Sequence, residues 1–390
     1  MAEGQKHPAG IPADAAVTYT AQEIYGQPQL WQRIYLQFQQ QREAMRQYLS
    51  RFLANSDAQI ILTGAGSSAF IGESIAAVWR RAWRCPVHVV PTTDVVTHPA
   101  AIFQPEHPLL LISFARSGDS PESLHTVSLA EQLVHTVFHF MISCNAEGEL
   151  VRQKRLTHKY AWVLPPESND RALAMTGSFT GMALAGALAG DVFQEKLLQD
   201  AIIALRQAAE QLFTQYVSLF RSLARQPFRR AVFLGSGPLR GIARESHLKL
   251  QELTDGHVMC QFDSFLGFRH GPRAVANTET LLVYLISSNP YVRQYELDLI
   301  REVAELGLGC FRLAITPIDV PDEWVDAQVV LPVHLPEVLW GLVSVIPAQL
   351  LGLFTALQLG LTPDNPSQRG AISRVVRGVK LYAYQPAVGG

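Results

Sequence analysis

Two stretches of this chain repeat one pattern at one spacing, and that self-similarity restricts the fold more than any other feature. Ile60-Ile61-Leu62-Thr63 runs into Gly64-Ala65-Gly66-Ser67-Ser68, and Ala231-Val232-Phe233-Leu234 runs into Gly235-Ser236-Gly237-Pro238, an offset of 235 − 64 = 171 residues. The apolar runs 109–113 before Ser117 and 281–286 before Ser288 keep that offset, and those at 138–142 and 311–315 fall within a few residues of it. Short apolar runs that end in Gly and Ser, each followed by ten or more helix-compatible residues, predict βα units of a parallel sheet covered on both faces. Each repeat is therefore predicted to be a doubly wound αβα sandwich of the α/β class. Ligands of such sheets bind beyond the carboxyl ends of the strands, where the glycine turns lie. Ahead of the repeats, residues 21–25 and 31–52 carry Ile34, Phe38, Met45 and Leu49 at near-helical spacing, which predicts a helical packing arm. The predicted division is an arm at 1–52, a first domain at 53–212 and a second at 213–390.

Composition narrows the partners. At 48% hydrophobic the 390-residue chain is too apolar for disorder and long enough for sizeable cores, so a soluble globular protein is expected. The 32 Lys and Arg against 34 Asp and Glu leave a net charge of -2 without long runs of either sign, which argues against nucleic acid or an anionic membrane as partner. Cys85, Cys144, Cys260 and Cys310 form no CxxC or CxxH spacing, so neither a zinc site nor a disulfide framework is expected, and a reduced, cytoplasmic setting follows. No spacing calls for a metal or an organic cofactor. Residues 1–19 mix Glu3, Lys6, His7 and Asp14 with prolines and lack the apolar segment of a secretory signal. Two uncharged stretches, 172–190 and 340–361, are long enough to raise a membrane question. Glycines with Thr176, Ser178 and Thr180 in the first, and Pro347, Gln349 and Gln358 in the second, favour buried core or subunit-interface helices instead.

Three motifs could carry chemistry. Gly64-Ala65-Gly66-Ser67-Ser68 offers backbone amides and the hydroxyls of Ser67 and Ser68 at a strand-to-helix turn, which suits an anion, though on this motif alone a tight turn needing glycine is the better account. Ala69 removes the last glycine of a dinucleotide fingerprint. In Ala115-Arg116-Ser117-Gly118-Asp119-Ser120-Pro121-Glu122, Arg116 supplies charge, Ser117 and Ser120 supply hydroxyls, and Pro121 starts a helix whose free amides point back at the loop. An ordinary helix cap explains this loop equally well in isolation; two such loops at matching strand ends favour a phosphorylated ligand. In the second repeat Glu245, Lys249 and Glu252 share one helical face, either a solvated ion-pair face or a proton-handling one. The apolar loop that places His270 before Gly271-Pro272 favours the latter, since a carboxylate, an amine and an imidazole are the groups that open a sugar ring and move its protons.

In their order and spacing these motifs resemble the double-SIS (sugar isomerase) family, which includes the isomerase half of glucosamine-6-phosphate synthase. The nearest likeness is to its subgroup of tagatose-6-phosphate ketose/aldose isomerases and galactosamine-6-phosphate deaminases. It runs from Glu23-Ile24-Tyr25-Gly26-Gln27-Pro28 to Asp364-Asn365-Pro366. The resemblance implies two tandem SIS domains with parallel five-stranded sheets. It implies that Ser68 and the loop Arg116-Ser117-Gly118-Asp119-Ser120 form the sugar-phosphate cradle, with Arg116 in place of the family's glutamine and Ala115 in place of its first serine. Thr176 and Ser178 would border the sugar. Glu252 would shuttle a proton between carbons 1 and 2 with Lys249 beside it, and His270 would open the ring from a neighbouring subunit, which implies a homodimer. Arg377 stands where the synthase has a lysine, and an arginine forms no Schiff base.

Residue 2 is Ala2 and the first cysteine is Cys85, so glutamine-dependent synthesis, which needs an N-terminal cysteine, is not expected. The reading that remains is deamination and isomerisation of an amino-sugar 6-phosphate, galactosamine 6-phosphate first, giving tagatose 6-phosphate. Plain ketose/aldose isomerisation is the nearest rival. A non-catalytic sugar-phosphate-binding regulator is the third reading, and the scattered Lys6, Arg33, Arg42, Arg46 and Arg51 of the arm, without a clustered basic face, speak against it.

Overall fold

A computed structural model describes residues 18–193, 198–332, 334–376 and 378–385. The chain begins with one helix, α1 (Tyr19–Leu53), that runs through Pro28. A proline removes the amide that would bond the carbonyl four residues back. Gln27 makes good the loss: its side-chain amide donates to the Ile24 carbonyl at 2.9 Å and to Gln349 at 2.8 Å. The two helical pieces expected from the sequence are therefore one element.

The first sheet comprises β1 (Gln59–Thr63), β2 (Val87–Val89), β3 (Leu109–Ala115), β4 (Val137–Ser143) and β5 (Lys159–Val163), in the order β2-β1-β3-β4-β5. The second comprises β6 (Arg230–Gly235), β7 (Met259–Asp263), β8 (Thr280–Leu285), β9 (Phe311–Thr316) and β10 (Ala327–Val330), in the order β10-β9-β8-β6-β7. All pairings are parallel. Counted from its own first strand, the second sheet follows the same 2-1-3-4-5 path as the first, so the 171-residue repeat is a repeat of a whole doubly wound fold. The expected pair of five-stranded parallel sheets with an N-terminal helix is borne out. Central strands β3 and β4 are buried at every position, as a sheet covered on both faces requires.

Five helices pack around these strands near the sites of interest: α2 (Ser67–Ala82), α3 (Pro121–Leu133), α4 (Gly177–Gly190), α5 (Pro238–Leu253) and α6 (Pro290–Glu305). Near the C-terminus come α7 (Glu337–Ser344) and α8 (Ile346–Gln358). Residues 337–358 are long and apolar enough to cross a membrane, yet 94% of their most apolar stretch is buried inside the protein. The turns that open α2 and α5 share one geometry. Gly66 lies at φ 55°, ψ −129° and Gly237 at φ 55°, ψ −125°, a region that residues with a Cβ rarely adopt.

The described chain forms two compact units that interleave in sequence. One holds the first sheet and comprises residues 33–169, 181–193 and the described part of 372–385; the other holds the second sheet and comprises 18–32, 170–180 and the described part of 198–371. In the first unit Ile61, Leu109, Leu111, Met141 and Leu150 form one core, and in the second Val232, Leu234, Leu282, Tyr284 and Leu299 form another. Each such side chain removed from water contributes about 1.5–3 kcal/mol. All four cysteines are free thiols.

Candidate active site

In the first unit, β1 and β3 are neighbours whose following helices leave on opposite sides, the switch point at which such sheets bind ligands. The two serine loops singled out in the sequence are the two loops at this point. Ser67 and Ser68 begin α2 and are each 5% exposed. After β3, the Ser117 hydroxyl accepts from the Asp119 amide at 3.2 Å, and Asn145 donates to the Ser117 carbonyl at 2.8 Å, which fixes the loop. Ser120 is the N-cap residue of α3, yet its hydroxyl makes no capping bond and donates instead to Glu122 at 2.8 Å. The opening of α3 thus carries no side-chain cap from Ser120.

Arg116 is buried, and its guanidinium donates to the backbone carbonyl of Arg374. Arg374 in turn donates to Asn169 at 2.6 Å. The C-terminal segment is therefore tied to the loop after β3, a link between residues 258 positions apart that sequence reasoning missed. Arg377 lies outside the described residues.

In the second unit, Glu245, Lys249 and Glu252 lie on α5 as their spacing predicts, and the face is buried, not solvated. Lys249 and Glu245 are fully buried, while the Glu252 side chain keeps 14% exposure. The Lys249 ammonium stands 3.1 Å from Glu245 and pairs directly with Glu252. Burial alone would push the Lys249 ammonium down, but the carboxylates of Glu245 and Glu252 outweigh it and hold the group above its ordinary value. The trio is a charged amine between two carboxylates, with Glu252 at the edge that solvent reaches. On the same helix His247 bonds the Arg244 carbonyl, and burial pushes its imidazole down to about 4, so it stays neutral.

His270 is exposed, in the loop that follows the short helix Phe265–Phe268. Its amide donates to Gly267 at 3.0 Å, and Gly271 beyond it has φ 122°, open only to glycine. Arg269 and Arg273 flank it and both pair with Glu302 of α6, which pins the loop from either side. The Arg-x-x-x-Arg spacing around His270 is a signal that could have pointed to this pair. Thr176 and Ser178 are completely buried. The Thr176 amide donates to Asp170 at 2.7 Å, as does the Ser178 amide at 2.9 Å, and the Ser178 hydroxyl bonds the same carboxylate. Behind Asp170, Glu23 accepts from the amides of Arg171 and Ala172. Burial, then the nearby Asp170 charge, pushes the Glu23 carboxyl up to about 8. These acids organise the segment that carries Thr176 and Ser178. Among the described residues no group of three or more His, Cys, Asp or Glu side chains is arranged to hold a metal ion.

A family model described as the SIS domain matches residues 52–189. The chain is similar to the D-galactosamine-6-phosphate deaminase AgaS of Shewanella sp. (strain ANA-3), 39% identical over 94% of this chain and 92% of that protein. It is similar also to a protein of the same name from Escherichia coli, 38% identical over 96% and 98% of the two chains. Among solved structures, the tagatose-6-phosphate ketose/aldose isomerase from Escherichia coli matches with a TM-score of 0.87 and 37% identity, covering 96% of this chain and 99% of that one.

Proposed function

The chain belongs to the SIS-domain family of the D-galactosamine-6-phosphate deaminases AgaS, and from that membership we propose that it converts galactosamine 6-phosphate and water into tagatose 6-phosphate and ammonia. The observation that carries the reading is the buried Glu245-Lys249-Glu252 trio, with a carboxylate at its accessible end. Ser67, Ser68, Arg116, Ser117 and Ser120 hold the phosphate, directly or through the loops they fix, and Thr176 and Ser178 shape the segment beside the sugar. His270 assists ring opening. Glu252 takes the proton from carbon 2 of the open amino-aldose and returns it to carbon 1, leaving an imine at carbon 2. Water adds there and ammonia leaves, so the deamination is hydrolytic. Lys249 orients Glu252 for proton transfer, and general base work of this kind is worth about 10²–10⁴-fold in rate. The protein acts in the cytoplasm as a homodimer in which His270 serves the partner's site, with neither nucleic acid nor membrane as partner.

Glu252→Gln tests this. Ammonia release from galactosamine 6-phosphate should fall by at least about 10²-fold while binding of the sugar phosphate persists. Undiminished turnover would remove Glu252 from the reaction. The name of the Escherichia coli structural relative supports one alternative, plain ketose/aldose isomerisation by the same carboxylate. Tagatose 6-phosphate turnover with no ammonia from any amino sugar would select it.

A further inference from the structure

We propose that the second repeat retains the anion-binding crevice of the first but closes it with the chain's own carboxylate, Glu296, which stands where a phosphate or another small oxyanion would sit. The crevice at β6 and β8 is built like the one at β1 and β3. It has the same strand path and the same Gly66/Gly237 turn geometry. It also repeats the serine turn: the Ser287 hydroxyl accepts from the Asn289 amide at 3.0 Å, as Ser117 accepts from Asp119. The difference lies on the helix that follows. Counting the opening prolines Pro121 and Pro290 as first, the seventh residue of α3 is Val127 and the seventh of α6 is Glu296.

Glu296 is completely buried and turns back into the crevice. It accepts from the Ser287 amide at 2.7 Å and from the Ser236 hydroxyl, so both strand-end loops donate to it. Its other oxygen, Oε1, is buried with no hydrogen-bond partner among the described residues. Glu337, at the start of α7, takes the Ser287 hydroxyl and adds a like charge, while Arg293 of α6 offsets it and donates to the Ser287 carbonyl at 3.2 Å. A carboxylate buried beside another carboxylate is costly to keep. The donors that surround it are those an oxyanion uses at such a turn. In the first repeat Val127, at the matching helix position, has no side-chain acceptor to reach back to the strand-end loops. Burial pushes the Glu296 carboxyl up to about 7, with Glu337 adding to the effect, which fits an acid packed into a cradle against its solvation preference.

Glu296→Val installs the residue of the first repeat. By titration calorimetry with inorganic phosphate, this variant should bind one more phosphate per chain than the unaltered protein, and its unfolding midpoint should rise with phosphate concentration by more. An unchanged stoichiometry would overturn the proposal. Should Glu296→Val be recovered unfolded, refolding with and without phosphate becomes the readout. Return of the native fold in phosphate alone supports the plug, and failure in both overturns it. Glu296→Gln keeps the shape and an acceptor, so it should gain no phosphate; a gain there counts against the plug. Because every arm is read relative to the unaltered protein, the outcome does not depend on whether the first crevice binds substrate phosphate.

Discussion

Single side chains in this protein are held by charges whose partners come from both near and far in sequence, and the two kinds differ in legibility. The Glu245-Lys249-Glu252 trio could be read from its spacing, because three and four residues make neighbours on a helix. Its burial could not, since that depends on what packs over α5. Lys249→Met should cost about 3–5 kcal/mol in denaturant unfolding, because it strands the buried Glu245 charge; replacing Glu245 by Leu as well should return much of that loss. The Glu23 carboxylate beside Asp170 was invisible to sequence reasoning, as 147 positions separate two residues with no motif in common. Its folded-state pKa is raised from 4.5 to about 8, so the native chain holds a proton that the unfolded chain releases, and stability is lost as pH rises through that window. Glu23→Gln removes this titration and points an amide donor at Asp170. Thermal unfolding should show it more stable than the parent by about 3–4 kcal/mol at pH 8 and little changed at pH 5. Equal slopes of stability against pH would show that Glu23 does not titrate as argued.

Among the elements, strands were the most legible, because a parallel sheet covered on both faces demands unbroken apolar runs and the repeat doubled every such signal. Helix α1 was harder. Pro28 reads as a break, and only the structure reveals Gln27 bonding the carbonyl that the proline leaves open. Gln27 is also an acceptor for the Thr180 hydroxyl at 2.7 Å, and Thr180 accepts from Trp31 at 3.1 Å. Gln27→Leu should therefore cost about 2–3 kcal/mol by calorimetry, more than one hydrogen bond, because several buried polar groups lose partners together. The loop after β3 was legible as an anion site or a cap, while the bond that turns the Ser120 hydroxyl to Glu122 instead of to the helix amides had no sequence signal. The grip of Arg116 on the C-terminal segment had no local signal at all.

At the scale of the whole molecule, the proposed sharing of His270 between subunits makes a test that neither residue alone provides. His270→Ala and Glu252→Gln should each be nearly inactive. When the two are unfolded, mixed equally and refolded together, about a quarter of the sites should regain both groups and activity should return in proportion. No recovery would confine each site to a single chain. The double repeat was readable from spacing, but its weaving was not: residues 170–180 and 198–212 precede the second repeat and pack with its sheet, while the described part of 372–385 follows it and packs with the first. A gene cut at the seam between the two repeats would therefore hand each fragment a length of polypeptide that packs with the other's sheet.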